Sequence, residues 1–202
     1  MKYKILLSLL LILIITPVQA KTILVLGDSL SAAYGINAKD GWVNLLHTKL
    51  KENNYDYRVI NLSTSGDTTS NGLAKLPKAL QRYQPDIVIV QLGANDGLRG
   101  LSVTKMKENL EKIIRESQNA HARVLLVATQ LPPNYGPTYL KKFATVYEEL
   151  ATQYQIRLIP MFLEGVAGNS QLMQQDGLHP NNKAQARILS NIWANLEPLL
   201  ST

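Results

Sequence analysis

The sequence predicts an α/β domain in which five parallel strands are covered by helices on both faces. Short apolar runs alternate with stretches of helical periodicity along most of the 202 residues. Each run is continuous in Val, Ile and Leu, which is typical of strands buried on both faces. Because crossovers between parallel strands are right-handed, the connecting helices cover both sides of the sheet. The predicted architecture is a three-layer α/β/α sandwich.

The strands and helices alternate in a regular order. The predicted strands have the sequences TILVLG, YRVINLS, DIVIVQLG, RVLLVATQL and IRLIP, at 22–27, 57–63, 86–93, 123–131 and 156–160. The predicted helices follow them at 41–53, 71–83, 103–117, 139–154 and 182–200. In each helix the apolar residues recur every three or four positions, which gives one face that packs on the sheet. No repeat or linker divides the chain, so residues 21–202 are expected to form a single domain.

The first 20 residues, MKYKILLSLLLILIITPVQA, have the pattern of a signal peptide. Two lysines precede an apolar run at 5–15, and the final Val-Gln-Ala resembles the small-x-small site that signal peptidase cleaves. A membrane anchor is the alternative, but the run is far shorter than the ~20 residues that span a bilayer. Cleavage after Ala20 leaves a chain that begins at Lys21. We therefore expect an exported protein, periplasmic or secreted.

Composition excludes several classes of function. The absence of cysteine rules out disulfides, thiolate catalysis and cysteine-based zinc sites. The formal charge is +6, and the lysines are spread among acidic and apolar residues as on solvated helix faces. No basic stripe interleaved with aromatic residues indicates nucleic-acid binding. We expect no cofactor and no metal, a small-molecule partner, a monomer, and at most peripheral contact with a membrane.

Polar, glycine-containing segments follow the first three strands. Ser29 comes directly after the first strand, STSGDTTSNG follows the second, and GANDGLRG follows the third. Because ligands of parallel α/β sheets bind at the carboxyl ends of the strands, these segments are expected to meet in one site.

A serine nucleophile needs a base that takes its proton and an acid that orients the base. His47 lies within a helical period and His121 in a polar turn, whereas His179 lies in the loop QDGLHPN before the last helix. Asp176 precedes His179 by three residues, close enough to accept a hydrogen bond from its imidazole. The sequence therefore predicts a triad of Ser29, Asp176 and His179. The order serine, aspartate, histidine along the chain is one of several that occur in serine hydrolases.

Each of these motifs has a purely structural alternative. GDS and DGLHPN occur as turns and helix caps, and GAND occurs as a tight turn. Two other functions also stay open. A metal-dependent phosphoesterase would use Asp28, Asn95, Asp176 and His179 as ligands, and a binding protein would use the same pocket without activating Ser29. The conjunction of all the motifs at one sheet edge favours the hydrolase.

The motifs GDSLS, STSGDTT, GAND and DGLHP resemble the four blocks of the GDSL or SGNH hydrolases. The four residues that name this family correspond to Ser29, Gly66, Asn95 and His179. The likeness extends from Ile23 to the last helix and is greatest to the exported bacterial thioesterases, lysophospholipases and arylesterases. One departure is Ala94, where that branch commonly has a second glycine, so its methyl group is expected to narrow the site or shift the turn.

The resemblance implies a flavodoxin-like fold, an activity and a set of roles. Ser29 would attack the acyl carbon, His179 would act as general base and then acid, and Asp176 would orient it. The oxyanion would be held by the backbone N–H groups of Ser29 and Gly66 and by the side-chain amide of Asn95. The implied substrates are acyl esters and thioesters such as lysophospholipids, acyl-CoA and aryl esters, with carbohydrate O-deacetylation as the alternative.

The proline-rich segment TQLPPNYGPTYL, residues 129–140, follows the fourth strand at the same edge. Leu131 and Tyr135 are predicted to form an apolar wall for an acyl chain, with Gly136 as the point at which the loop adjusts. The alternative is an ordinary loop that its prolines stiffen.

Overall fold

The computed structural model describes residues 20–200, which form a five-stranded parallel sheet with helices on both faces. The strands are β1 (Lys21–Gly27), β2 (Tyr57–Asn61), β3 (Ile87–Gln91), β4 (Arg123–Val127) and β5 (Arg157–Ile159). The helices are α1 (Trp42–Glu52), α2 (Thr69–Tyr83), α3 (Ala94–Leu98), α4 (Val103–Asn119), α5 (Pro137–Tyr154) and α6 (Gln185–Leu200). The predicted fold class is confirmed.

The strand order is β2-β1-β3-β4-β5. β1 pairs with both β2 and β3, so that Val25 lies opposite Asn61 on one side and Ile89 on the other. The order of the strands therefore reverses at β1. This is the position at which open α/β sheets bind their ligands.

Alternate residues of each strand face two separate hydrophobic cores. In β1, Ile23 and Val25 pack in a core with residues of α1 and α6. Leu24 and Leu26 pack in the other core, with residues of α2, α4 and α5. All four side chains are fully buried. Since successive side chains of a strand point to opposite faces, this partition produces the three layers and explains the continuous apolar runs.

Two local predictions differ from the structure. The fourth strand ends at Val127 instead of residue 131, because its pairing with β3 ends at Leu126, opposite Val90, and its pairing with β5 ends at Val127, opposite Ile159. GAND was expected to be a loop, but Ala94 begins the short helix α3. Gly93 precedes this helix with a φ of 116°, a conformation that favours glycine.

The predicted signal peptide, residues 1–20, lies outside the described residues except for Ala20. From Ala20 to Leu200, the structure has no helix that is long and apolar enough to cross a membrane.

Candidate active site

Ser29 lies in the turn that follows β1, and the segment between β5 and α6 brings His179 to it. His179 Nε2 is 2.9 Å from Ser29 Oγ, although 150 residues separate them in the chain. His179 Nδ1 is 2.6 Å from Oδ2 of Asp176. The structure thus brings together the three residues of the predicted triad.

Asp176 and His179 lie on one tight hairpin. The backbone N–H of Gln174 closes it by donating to the His179 carbonyl at 2.7 Å. Asp176 Oδ1 accepts the backbone N–H groups of His179 and Leu178 at 3.0 and 2.9 Å. These hydrogen bonds, the one from the His179 backbone foremost, lower the pKa of Asp176 to about 2. Asp176 is therefore ionised at neutral pH.

The ionised Asp176 determines which imidazole nitrogen carries the proton. A carboxylate only accepts hydrogen bonds, so Nδ1 of His179 must be the donor. In neutral His179 the other nitrogen, Nε2, is then free to accept a hydrogen bond from Ser29 Oγ. This arrangement is the one that removal of the serine proton by a general base requires.

Asn95 lies on α3 and lines the same cavity as Ser29. Its amide donates to the Asp67 carbonyl at 3.0 Å, and this is its one side-chain hydrogen bond to the residues that the structure describes. The second N–H of the amide is thus available to a ligand. Gly66 has a φ of 83°, and its carbonyl accepts a hydrogen bond from Arg99 at 2.9 Å. Gly66 does not line the cavity.

A cavity of about 220 Å³, here called the Ser29 cavity, opens beside Ser29 and His179. Besides Ser29, Asn95 and His179 it is lined by Leu30, Ala94, Leu98, Thr129, Gln130, Leu131, Pro132, Leu163 and Leu178. Of the predicted acyl-chain residues, Leu131 therefore belongs to the cavity wall. Tyr135 and Gly136 do not line it. The Tyr135 hydroxyl donates to the Leu98 carbonyl at 2.8 Å, so Tyr135 supports the wall from behind.

The chain also matches known proteins. Residues 25–187 match the GDSL-like Lipase/Acylhydrolase family. The chain belongs to this family. It is 48% identical over 190 residues to Esterase TesA of Pseudomonas aeruginosa, covering 94% of both chains. It is 42% identical over 182 residues to Thioesterase 1/protease 1/lysophospholipase L1 of Escherichia coli, covering 90% of this chain and 86% of that one.

A solved structure extends the likeness to three dimensions. Esterase EstA from a Pseudoalteromonas species, in a structure inhibited by monoethylphosphonate, has a TM-score of 0.85 and 42% identity to this chain. The alignment covers 90% of this chain and all of the other. The resemblance seen in the four sequence motifs is therefore confirmed, and the protein is an ester-hydrolysing serine hydrolase of the GDSL-like family.

A buried polar cluster lies next to Ser29 in this GDSL-family enzyme. Asp28 Oδ1 accepts hydrogen bonds from the Leu30 N–H and from Gln91 Nε2, both at 3.0 Å. Gln91 Oε1 in turn accepts the Ser31 hydroxyl at 2.6 Å. Among the described residues, Asp28 Oδ2 has no hydrogen-bond partner. Burial raises the pKa of Asp28 to about 6, against the opposing effect of its hydrogen bonds.

Sequence reasoning missed Gln91 and Tyr34. Gln91 is fully buried, and the one signal was a glutamine at the end of the apolar run DIVIVQLG. The Tyr34 ring lies against the imidazole of His179, with 4.5 Å between ring centroids. No pattern in the sequence indicated this contact, because it joins two segments that are distant in the chain.

The other candidate residues lie apart or have structural roles. His47 is on α1, and His121 is in the turn before β4, at the amino end of the sheet. Asp28 is buried and does not line the Ser29 cavity. In residues 20–200 no group of three or more His, Asp or Glu side chains is arranged to hold a metal ion. Ala94 does line the cavity, and its effect on the oxyanion site stays a prediction.

Proposed function

We propose that this enzyme hydrolyses acyl esters and thioesters through an acyl-enzyme formed on Ser29. The observation that carries the proposal is the chain of two hydrogen bonds, from Ser29 Oγ to His179 Nε2 at 2.9 Å and from His179 Nδ1 to Asp176 at 2.6 Å. Family membership supports the reaction class, and the geometry supports these residues as the ones that perform it.

In the first half-reaction, Ser29 Oγ attacks the acyl carbon while its proton passes to His179 Nε2. The carbonyl oxygen becomes an oxyanion, which the free N–H of Asn95 and the backbone N–H groups of Ser29 and Gly66 would stabilise. When the tetrahedral intermediate collapses, the bond to the leaving group breaks and His179 gives its proton to the leaving oxygen or sulfur. The acyl group stays on Ser29.

In the second half-reaction, water replaces the leaving group. His179 Nε2 takes a proton from the water, whose oxygen attacks the acyl carbon, and the proton then returns to Ser29 Oγ as the carboxylic acid leaves. Asp176 stays ionised throughout and stabilises the imidazolium that forms in each half. Its lowered pKa of about 2 suits this role, because it does not compete for the proton.

The cavity wall supports acyl substrates. Leu98, Leu131 and Leu163 give the Ser29 cavity an apolar side that suits a hydrocarbon chain better than a sugar ring. We therefore favour lysophospholipids, acyl thioesters and aryl esters, which fits the names of the Pseudomonas and Escherichia relatives. The signal-peptide pattern supports export, so we propose that residues 21–202 form one monomeric catalytic domain in the periplasm or outside the cell, with lipid esters as its substrates there.

Covalent labelling tests the proposal. A fluorophosphonate should add one label to the purified enzyme, and mass spectrometry should place it on Ser29. A phosphonate is a natural probe, since monoethylphosphonate inhibits the Pseudoalteromonas esterase. Ser29→Ala and His179→Ala should each abolish turnover of p-nitrophenyl butyrate while leaving the melting temperature close to that of the wild type.

Matched variants serve as controls. His47→Ala and His121→Ala remove the two histidines that lie outside the site, and both should retain labelling and turnover. A label on Ser63, Ser65 or Ser70, or loss of activity in a folded His47 or His121 variant only, would overturn the assignment.

A further inference from the structure

The side chain of Tyr34 is unusual in being aromatic, exposed and in contact with a residue of the triad. It is 51% exposed, the largest value among the exposed large hydrophobic residues from Ala20 to Leu200. Its ring centroid is 4.5 Å from that of His179, with an angle of 42° between the rings. Tyr34 thus contacts the imidazole while about half of the residue is open to solvent, and it lies against His179 without lining the Ser29 cavity.

The backbone of Tyr34 is held on both sides. Its N–H donates to the Ser29 carbonyl at 3.2 Å, and its carbonyl accepts a hydrogen bond from the side chain of Gln174 at 2.8 Å. The same Gln174 amide donates to the Pro180 carbonyl at 3.0 Å. Tyr34 is therefore tied both to the nucleophile turn and to the hairpin of His179. An exposed ring on a fixed backbone is a preformed surface, which loses little conformational entropy when a ligand contacts it.

The chemistry of acyl transfer places the leaving group beside His179. The atom that leaves must be within hydrogen-bond reach of Nε2 of His179, because this nitrogen supplies its proton. We expect the group attached to that atom to extend past the imidazole, against which the ring of Tyr34 lies. Leu178, which is also exposed at 44%, precedes His179 and lines the Ser29 cavity. The surface next to the departing group is accordingly apolar and partly aromatic.

We propose that Tyr34 forms a binding platform for the leaving group and favours esters whose leaving group is an aromatic ring. This inference rests on the proposed acyl-enzyme mechanism. Offset or edge-on packing of an aryl leaving group against Tyr34 would stabilise it before and during departure. An ethyl group lacks a ring and gains little from the same surface. Tyr34 would therefore bind the leaving group of the ester, whereas Leu131 would contact the acyl chain.

The test varies the leaving group while the acyl group stays the same. The kcat/KM values of wild type, Tyr34→Ala and Tyr34→Phe are measured with phenyl acetate and ethyl acetate. Each ester is its own reference, so its intrinsic reactivity cancels in the ratio of variant to wild type. Tyr34→Ala should lose about 3- to 10-fold with phenyl acetate, the range for one aromatic contact, and less than about 2-fold with ethyl acetate. Tyr34→Phe keeps the ring and should resemble the wild type with both esters.

Two further measurements separate this role from support of His179. The phenol or ethanol has already left when the acetyl-enzyme is hydrolysed. A residue that contacts only the leaving group should not affect this step, so the rate constant for hydrolysis of the acetyl-enzyme should be unchanged in Tyr34→Ala. The pH dependence of kcat/KM for ethyl acetate should also be unchanged. Equal losses with both esters, or a shifted pH profile, would overturn the proposal and make Tyr34 a positioning residue of His179. No loss with either ester would overturn it as well.

A control variant and the labelling experiment complete the design. Tyr55→Ala removes an aromatic side chain that packs on Trp193 and precedes β2, at the amino end of the strands and so opposite the active site, and it should not change the ratio between the two esters. If Ser29→Ala retained activity, the acyl-enzyme mechanism would fail. The Tyr34 proposal alone fails if Ser29 labels as expected and the two esters respond equally.

Discussion

Asp96 accepts two hydrogen bonds from Thr69, one from the hydroxyl at 2.6 Å and one from the backbone N–H at 2.8 Å. Both residues are buried. Thr69 begins α2, directly after the loop that contains Gly66, and Asp96 follows Asn95 on α3. This pair therefore fixes the second and third loops of the site relative to each other, and with them two of the three predicted oxyanion donors.

Removal of the Asp96 carboxylate should destabilise the fold and slow catalysis. Asp96→Ala leaves the N–H and hydroxyl of Thr69 buried without this acceptor, and an unsatisfied buried polar group costs about 1–3 kcal/mol. We expect the free energy of unfolding in urea to fall by about 2–4 kcal/mol and kcat to fall in the folded variant. Glu108→Ala, which removes an exposed carboxylate paired with Lys105, is the matched control and should change neither quantity appreciably. An Asp96 variant as stable as this control would contradict the interpretation.

Asp28 should make the fold less stable as the pH rises. Burial raises its pKa from 3.8 to about 6, so the unfolded chain ionises at a lower pH than the folded one. The free-energy cost of ionising this buried carboxyl in the folded state grows above pH 4 and levels off above pH 6. Each pKa unit corresponds to about 1.4 kcal/mol. The free energy of unfolding is measured for Asp28→Asn and for the wild type at each pH. The value for the variant minus that for the wild type should increase by about 2 kcal/mol between pH 4.5 and pH 8.

The control for this pH series is Asp40→Asn. Asp40 is exposed, so ionisation of its carboxyl carries no burial penalty. The difference between Asp40→Asn and wild type should thus stay nearly constant from pH 4.5 to pH 8. A constant difference for Asp28→Asn as well would mean that Asp28 is not desolvated.

Asn95→Ala should act on kcat and leave KM nearly unchanged. The free N–H of Asn95 is proposed to bind the oxyanion, where charge develops only as the reaction proceeds. Loss of one such donor typically lowers kcat by ~10²–10³. Steady-state kinetics with p-nitrophenyl butyrate measure both constants. A normal kcat with a raised KM would instead place Asn95 among the residues that bind the ground state.

Leu131→Ala should discriminate among acyl chains. Leu131 lines the Ser29 cavity, and each methylene buried against it contributes up to ~0.8 kcal/mol. The loss in kcat/KM along a series of p-nitrophenyl esters should thus grow from acetate to octanoate. Tyr135→Phe removes only the hydrogen bond to the Leu98 carbonyl and should change all chain lengths by a similar, smaller factor. Equal losses for Leu131→Ala at every length would remove it from the acyl-chain site.

Local motifs allowed the triad to be predicted from the sequence. Ser29 follows a buried strand directly, and Asp176 lies three residues before His179, so each motif contains its own chemistry within a few positions. The role of Asn95, in contrast, was predicted from the resemblance of GAND to a motif of the family, because the segment alone is also compatible with a tight turn. Tyr135 and Gly136 were predicted from loop composition, and the structure leaves both outside the Ser29 cavity. Composition does not specify which side of a loop faces a cavity.

The sequence by itself determined the order of strands and helices along the chain, the end of the strands at which the candidate site lies, and the candidates for nucleophile, base and acid. It did so because apolar periodicity and short motifs are properties of neighbouring residues. Only the tertiary structure decided that Gln91 contacts Asp28, that Asp96 ties Thr69 to the third loop, and that Tyr34 lies on His179. These contacts join residues 27 to 145 positions apart in the chain, because packing of the sheet and its loops, rather than local sequence, sets which side chains meet.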